Sequence, residues 1–245
     1  MNIIIHIHTH IYIYRSKYKN NFIQKKNFWC NKLKSEQRIG PHTEFIQSFI
    51  IGHMLGNGHL EFRRGSTRLI LHLGLSNREY IAWLVEIYIQ NGYCKSKQLN
   101  LTKQIGKKGK VNFLTKISTF SFKSFNWLHE LFYKPIYDDT TNTIFYKKRI
   151  PQNVITYLTP QTLAIWLMND GSKHNSGFIL PTNSFTLEEN YILQEAFLKR
   201  YKMKTILYKK GSNFIMYISP KEAKSLKYII KPYVHKSMQY KLQNL

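Results

Sequence analysis

The sequence predicts an α+β protein of two pseudo-symmetric halves, each running α-β-β-α-β-β-α. Two observations lead there. Two apolar helical stretches end alike, one in Leu55-Gly56-Asn57-Gly58 and the other in Met168-Asn169-Asp170-Gly171. Each then heads a similar succession of strand-like and helix-length segments, and internal repetition of that kind says more about architecture than a single motif. The 245 residues suffice for one large domain or two small fused halves. A chain with 43% hydrophobic and 20% charged residues is globular rather than disordered.

Residues 1–40 read as a basic, low-complexity extension. The run Ile5-His6-Ile7-His8-Thr9-His10 sets three histidines at strand spacing, and a translated AT-rich repeat explains it better than a metal site. Arg15, Lys17, Lys19, Lys25 and Lys26 suit a transit peptide or a basic arm. The first half, 41–137, opens with a helix from about Thr43 to Gly56. Strands follow at His59–Arg63 and Leu69–Leu75, the latter alternating leucines with Ile70, His72 and Gly74. Next come a helix at Arg78–Gln90, a strand region around Val111–Phe122 and a helix near Phe125–Tyr133. Lys103–Lys110, with Gly106 and Gly109 among its lysines, is a flexible basic turn that could form a ribbon tip touching phosphate.

A linker, 138–158, begins with the polar turn Asp138–Asn142. The second half, 159–245, starts at Thr159-Pro160, an N-cap with proline at the first helical position. Its helix ends near Asn169, and its strands lie around Gly177–Leu180 and Thr205–Ile218. Helices are expected at Leu187–Tyr201 and Lys221–Ile230. Lys134-Pro135 and Lys231-Pro232 stand where the third helix of each half should stop. Gly58 and Gly171 suit left-handed stops for the two leading helices. Trp29, Trp83, Trp127 and Trp166 are expected in the core rather than as stacking platforms.

Charge narrows the partners. Lys+Arg total 37 against 13 Asp+Glu, a formal net charge of +24. Seven of those basic residues and none of the acids lie in residues 1–35, so the body is basic in its own right. Such self-repulsion calls for a polyanion, with nucleic acid the first candidate and an anionic membrane surface the alternative. No apolar run approaches the roughly 20 residues that span a bilayer, so a soluble chain is expected, with no membrane among its partners. Lysine exceeds arginine, isoleucine, asparagine and tyrosine abound, and alanine occurs at four positions. AT-rich codons supply that usage, which points to an organellar gene. Cys30 and Cys94 are too few and too distant for a metal cluster and read as reduced thiols.

Only three aspartates occur: Asp138, Asp139 and Asp170. The first two share the polar turn. Asp170 ends an apolar helix, where the helix dipole disfavours negative charge. A divalent cation would compensate it, because carboxylate oxygens are natural ligands of Mg²⁺.

Ile50-Ile51-Gly52-His53-Met54-Leu55-Gly56-Asn57-Gly58 and Leu163-Ala164-Ile165-Trp166-Leu167-Met168-Asn169-Asp170-Gly171 both follow the nine-residue pattern of the LAGLIDADG homing endonucleases. Gly52, Gly56 and Ala164 are small enough for two such helices to pack closely, which would bring Asn57 and Asp170 to the same end of one interface. From about residue 44 onward the chain resembles this family, in particular its monomeric, yeast-mitochondrial intron type. Lys147-Lys148-Arg149-Ile150-Pro151, Tyr157-Leu158-Thr159-Pro160, Thr182-Asn183-Ser184-Phe185-Thr186, Lys231-Pro232-Tyr233 and Gln239-Tyr240-Lys241-Leu242 carry the resemblance.

The resemblance implies a central pair of motif helices and two saddle-shaped antiparallel sheets lying in the major groove of a long DNA site. It implies Mg²⁺ between the acid ending each motif helix and the scissile phosphates, with water attacking phosphorus in line. One lysine per half assists nearby, and the matching positions are Lys148 and Lys241. Asn57 departs from the pattern: its carbonyl can coordinate a cation, but the amide is neutral. Glu61, four residues on, is not placed to replace the missing acid.

Base readout falls to polar residues on the groove-facing strands, with Arg63, Arg64, Arg68, Lys116, Lys173 and Lys209 as candidates. Three functions fit: a site-specific, Mg²⁺-dependent double-stranded DNA endonuclease of the intron-homing type in a mitochondrion; an intron maturase binding folded RNA; and a cleavage-deficient DNA-binding relative.

Overall fold

A computed structural model of the chain describes residues 33–39, 42–95, 100–105 and 111–243. The readings made of His6, His8, His10, Trp29, Cys30 and the glycines at 106 and 109 lie outside the described residues.

The first half begins with α1 (Glu44–Leu55), capped by Thr43, whose hydroxyl accepts from the Ile46 amide. β1 (His59–Arg63) and β2 (Ser66–Gly74) follow, then α2 (Arg78–Gln90), β3 (Asn100–Ile105), β4 (Val111–Ser118) and α3 (Asn126–Phe132). The second half begins with α5 (Pro160–Asn169), capped by Thr159, and continues through β7 (Ser172–His174), β8 (Gly177–Leu180) and α6 (Leu187–Tyr201). It ends in β9 (Thr205–Lys210), β10 (Asn213–Ile218) and α7 (Pro220–Ile230), with 3₁₀ turns at Lys231–Tyr233 and Lys236–Leu242. Local signals explain the helix starts. Thr186 and Glu189 close a capping box on α6, and Ser219 caps α7 with Pro220 at its first position.

Two four-stranded antiparallel sheets result, ordered β1-β2-β4-β3 and β7-β8-β10-β9. Position for position these are the same arrangement, so the repeat read from the sequence is a repeat of topology. In β2 the side chains of Leu69, Leu71 and Leu73 point into the core while His72 and Gly74 are exposed, as a strand covered on one face requires. The motif helices behave differently. Residues Phe49 to Leu55 of α1 and Thr162 to Met168 of α5 are buried without interruption. A helix apolar all round belongs inside the molecule, and these two form its centre.

Four expectations are corrected. The segment between the halves opens with a hairpin, β5 (Tyr133–Asp138) paired with β6 (Thr143–Lys148), and a short helix α4 (Val154–Tyr157) follows. Lys134-Pro135 therefore lies inside an isolated two-stranded ribbon, where proline is tolerated because an edge strand need not donate every amide. α3 ends before it, at Phe132. Gly58 and Gly171 are not left-handed: among the described residues the glycines with positive φ are Gly65, Gly92 and Gly211. Space demands them instead. A methyl on Gly58 would stand 2.7 Å from the His53 carbonyl oxygen, and one on Gly171 would stand 2.6 Å from Leu167 Cδ1. Trp166 is fully buried and Trp83 packs against the core, but Trp127 is 37% exposed beside Tyr157.

Candidate nuclease centre and nucleic-acid interface

α1 and α5 lie side by side because small residues let their backbones meet. A methyl on Gly52 would be 2.7 Å from both Ile165 Cβ and the Thr162 carbonyl oxygen. One on Gly56 would be 2.8 Å from Asn169 Nδ2 and 3.2 Å from Asp170 Cβ. At the opposite end of the helix pair, Ser48 and Thr159 hydroxyls share a hydrogen bond of 3.0 Å. This packing brings Asn57, Asn169 and Asp170 together.

Both lysines converge on the same place. Lys148, the last residue of β6, donates through Nζ to the carbonyls of Gly56 at 2.7 Å and Gly58 at 3.0 Å. Lys241, in the C-terminal 3₁₀ turn, donates to Leu167 and Met168 at 2.9 Å and to Gly171 at 2.7 Å. Each ammonium thus closes the carbonyl end of one motif helix, where positive charge is favoured. The compensation that Asp170 needs at its helix terminus is supplied within the fold by these lysines. All three protons of Lys241 have carbonyl partners, whereas Lys148 has one left over.

Electrostatics couple the three charges. Burial lowers the Lys148 and Lys241 ammonium groups to about 8 each, and Asp170 pulls both back up. Burial pushes the Asp170 carboxyl above its ordinary value, while Lys241 and Lys148 draw it down. The site is a half-buried carboxylate held between two cations of weakened charge.

The donor set meets the demands of Mg²⁺ on one side only. Among the described residues no group of three or more His, Cys, Asp or Glu side chains could hold a metal alone. Mg²⁺ commonly uses one or two carboxylates, with water and substrate phosphates completing its shell, and Asp170 offers one such ligand. Asn57 does not match it. Its Oδ1 accepts a hydrogen bond of 2.7 Å from Nδ2 of Asn169 across the interface, so the oxygen that could have coordinated a cation is engaged. Behind this pair lies His53, fully buried, its imidazole lowered to about 3 by burial and drawn back by Asn169. Glu61 pairs with Arg68 at 2.5 Å on the sheet and takes no part.

Sequence reasoning named Asn57, Asp170, Lys148 and Lys241, and the fold brings all four together. It missed Asn169 as a bridge and the fully buried His53 behind it, whose ring nitrogens have no hydrogen-bond partner among the described residues. The sequence hint was a polar residue in the otherwise apolar last turns of each motif helix.

The basic residues separate by register. His59, Glu61 and Arg63 of β1 stand opposite Ile70, Arg68 and Ser66 of β2, and His72 stands opposite Lys116 of β4. Arg63, Arg68 and Lys116 therefore share the outer face of the first sheet. Arg64 does not: with φ 51° it occupies the turn between β1 and β2. In the second sheet Lys173 pairs with Phe178, and Lys209 pairs with Phe214. Those residues share the pleat face of the core residues Phe178, Leu180 and Met216. Lys173 and Lys209 are exposed because they sit near strand ends, and the outer face is formed by other residues.

Comparison with known proteins places the chain. The model of the LAGLIDADG DNA endonuclease family matches residues 47–226. "Cytochrome b mRNA maturase bI2" of Saccharomyces cerevisiae is 32% identical over 231 residues, covering 92% of this chain; the chain spans 53% of that protein's length. The protein of the same name from Debaryomyces hansenii is 31% identical, covering 89% of this chain and 85% of its own. "Intron-encoded endonuclease ai4" of Dictyostelium discoideum is 32% identical over 65% of this chain and 98% of its own. Among solved structures, the homing endonuclease I-WcaI bound to its DNA recognition sequence superposes with a TM-score of 0.72. It covers 87% of this chain and 94% of that one at 22% identity, a likeness of fold. With a matched repeat of topology and a family match over most of its length, the chain belongs to the LAGLIDADG DNA endonuclease family.

Proposed function

We propose that this chain is a mitochondrial, monomeric, site-specific DNA endonuclease of the intron-homing kind, working through Asp170 and impaired on the Asn57 side. One observation carries the reading: Asp170, Lys148 and Lys241 converge at the end of the paired motif helices, between two sheets with exposed basic residues. In phosphodiester hydrolysis a water oxygen adds to phosphorus and the bond to the departing oxygen breaks. One water proton ends on that departing oxygen, leaving one hydroxyl end and one phosphomonoester end. Bound Mg²⁺ supplies Lewis-acid stabilisation of the charge that develops on phosphate. Asp170 would be its protein ligand, and Lys148 and Lys241 draw the Asp170 carboxyl towards its ionised form. The names of the cytochrome b mRNA relatives support the mitochondrial assignment.

A second reading, an RNA-binding intron maturase, is favoured by a separate observation. Asn57 is tied to Asn169 rather than presented as a ligand, and two relatives carry the name maturase.

The test uses Asp170→Asn and Asn57→Asp with duplex spanning the intronless insertion site. Asp170→Asn abolishes Mg²⁺-dependent cleavage and retains binding in a Ca²⁺ gel shift, because affinity comes from dispersed Lys and Arg. Asn57→Asp increases cleavage, since a carboxylate can accept from Asn169 with one oxygen and keep the other for the cation. If roughly 6–10 phosphates are neutralised, affinity falls about 10³–10⁵-fold between 50 and 200 mM salt. Loss of binding in Asp170→Asn would make that residue structural. Binding of the intron transcript without preference for the insertion-site duplex would establish the maturase.

A further inference from the structure

The two sheets present different chemistry on their outer faces. The first face is charged: Glu61, Arg63, Arg68, His72 and Lys116 share it. The second is apolar along its middle, with Ser172, His174, Lys210 and Asn213 towards its margins. Register puts Ile179 beside Tyr217 and Tyr217 beside Ile206, while Ile215 stands opposite Tyr208. These five share the face turned away from Phe178, Leu180 and Met216. Ile206 is 42% exposed and Tyr208 44% exposed. The tyrosine rings of 208 and 217 lie 5.3 Å apart, and His174 meets Tyr217 edge-on at 6.0 Å. A methyl on Gly177 would stand 2.9 Å from the Tyr217 hydroxyl oxygen and 3.0 Å from its Cε2, so the absence of a side chain at Gly177 leaves room for that tyrosine.

An exposed apolar sheet face in a chain of net charge +24 needs an occupant with apolar patches inside an anionic frame. Lys210, exposed at the end of β9, shares this face by register and is placed to meet phosphate. The duplex major groove has one apolar group to offer, the C5 methyl of thymine. Isoleucine and the faces of tyrosine contact that methyl well. They offer nothing to the cytosine amino group, which would lose water without gaining an acceptor.

Resting on the DNA-binding reading above, we propose that the second half selects a thymine-rich half-site through contacts of Ile179, Ile206, Tyr208 and Ile215 with thymine methyls, Tyr217 lying buried beneath them as support. The first half reads its own half-site by hydrogen bonds from Arg63, Arg68 and Lys116. The recognition site is therefore chemically lopsided, methyl-read at one end and hydrogen-bond-read at the other.

The experiment first selects bound duplexes from a randomised pool in Ca²⁺, then replaces thymine by deoxyuridine in one half at a time. Deoxyuridine keeps every hydrogen bond and removes only the methyl. Affinity falls about fourfold per contacted methyl in the half that the second sheet covers, a value set by burial of one such group. Replacement in the other half changes it less than twofold. Ile206→Ser, at a position 42% exposed and with its melting temperature compared with that of the parent, weakens the deoxyuridine discrimination in the covered half. Equal responses in both halves, or a selected site rich in G·C at the second sheet, overturns the proposal while leaving DNA binding intact. If no duplex is selected, the DNA-binding reading itself falls and the proposal with it.

Discussion

Gly52→Ala isolates the contact on which the centre depends. On an isolated helix this change would stabilise by about 1 kcal/mol, since alanine is the better helix former. Here the added carbon would lie 2.7 Å from Ile165 Cβ and 2.7 Å from the Thr162 carbonyl oxygen. One obstacle is backbone and the other is the root of a branched side chain, so neither can rotate aside. α1 and α5 must separate by several tenths of an ångström. Overpacking of this kind costs about 1–3 kcal/mol, and with immovable neighbours the upper part of that range applies. The propensity gain offsets about 1 kcal/mol, leaving a net loss of about 1–2 kcal/mol. For a chain of this size that lowers the melting temperature by roughly 2–8 °C. Chemistry suffers more than stability, because displacement of reacting groups by about 1 Å can cost about 100-fold in rate. The Asn169–Asn57 bond of 2.7 Å is the first contact to lengthen.

The assay is thermal denaturation followed by circular dichroism, with a Ca²⁺ gel shift and Mg²⁺ cleavage on the same preparations. Binding should change less than about threefold, because the sheets carry it. Gly74→Ala is the control. Its φ is −71° and the nearest atom to a new methyl is Ser76 Oγ at 3.9 Å, so it should be neutral or stabilising. A Gly52→Ala protein that melts at or above the parent temperature and cleaves as well would refute the close contact between the motif helices.

Two further outcomes are expected. Lys241→Met leaves three carbonyls without their donor, costing about 1–3 kcal/mol in denaturant unfolding. It also removes a charge that lowers the Asp170 carboxyl, so the acid limb of the cleavage–pH profile moves to higher pH; an unmoved limb would remove Lys241 from the electrostatics of the site. The second outcome concerns acid stability. His53 is neutral in the fold, its value lowered by burial from 6.5 to about 3, so the unfolded chain takes up the proton first as pH falls. Stability is full above about 6.5 and is lost downward at about 1.4 kcal/mol per pH unit until about 3. His53→Leu should flatten that dependence between pH 6 and 5 in urea unfolding, and an equal slope would show that His53 does not stay neutral.

Much of this was legible in the linear chain because it is local or periodic. Thr43, Thr159 and Thr186 announce helix starts through their own hydroxyls, and the bounds of β1, α2 and α6 follow from patterns within a few residues. The dense apolar run at the C-terminal part of each motif helix predicts central burial, since little polar surface is left there for solvent. The four centre residues were legible through two matching nine-residue motifs and two short strings far from them.

Other features were not, for a common reason. The β5–β6 hairpin was hidden by Pro135, which argues against a strand unless the strand is an edge. Gly58 and Gly171 looked like conformational stops, but their cause is the nearness of His53 and Leu167, which appears only once the chain has turned. Lys173 and Lys209 looked like groove contacts because charge suggests function. A shift of one residue in a strand reverses its face, and only pairing with Phe178 and Phe214 decides which face they take. Asn57 was visible as a departure, yet its partner is Asn169 of the opposite half.

By itself the sequence determined the repeat, the helix starts, the basic charge and the single acid at Asp170, because each is a property of residue type or short-range spacing. The tertiary structure decided what surrounds that acid, which residues share each sheet face, and that Asn57 is hydrogen-bonded to Asn169. Those depend on distances between residues far apart in the chain, where a few tenths of an ångström separate a ligand from a hydrogen-bonded neighbour.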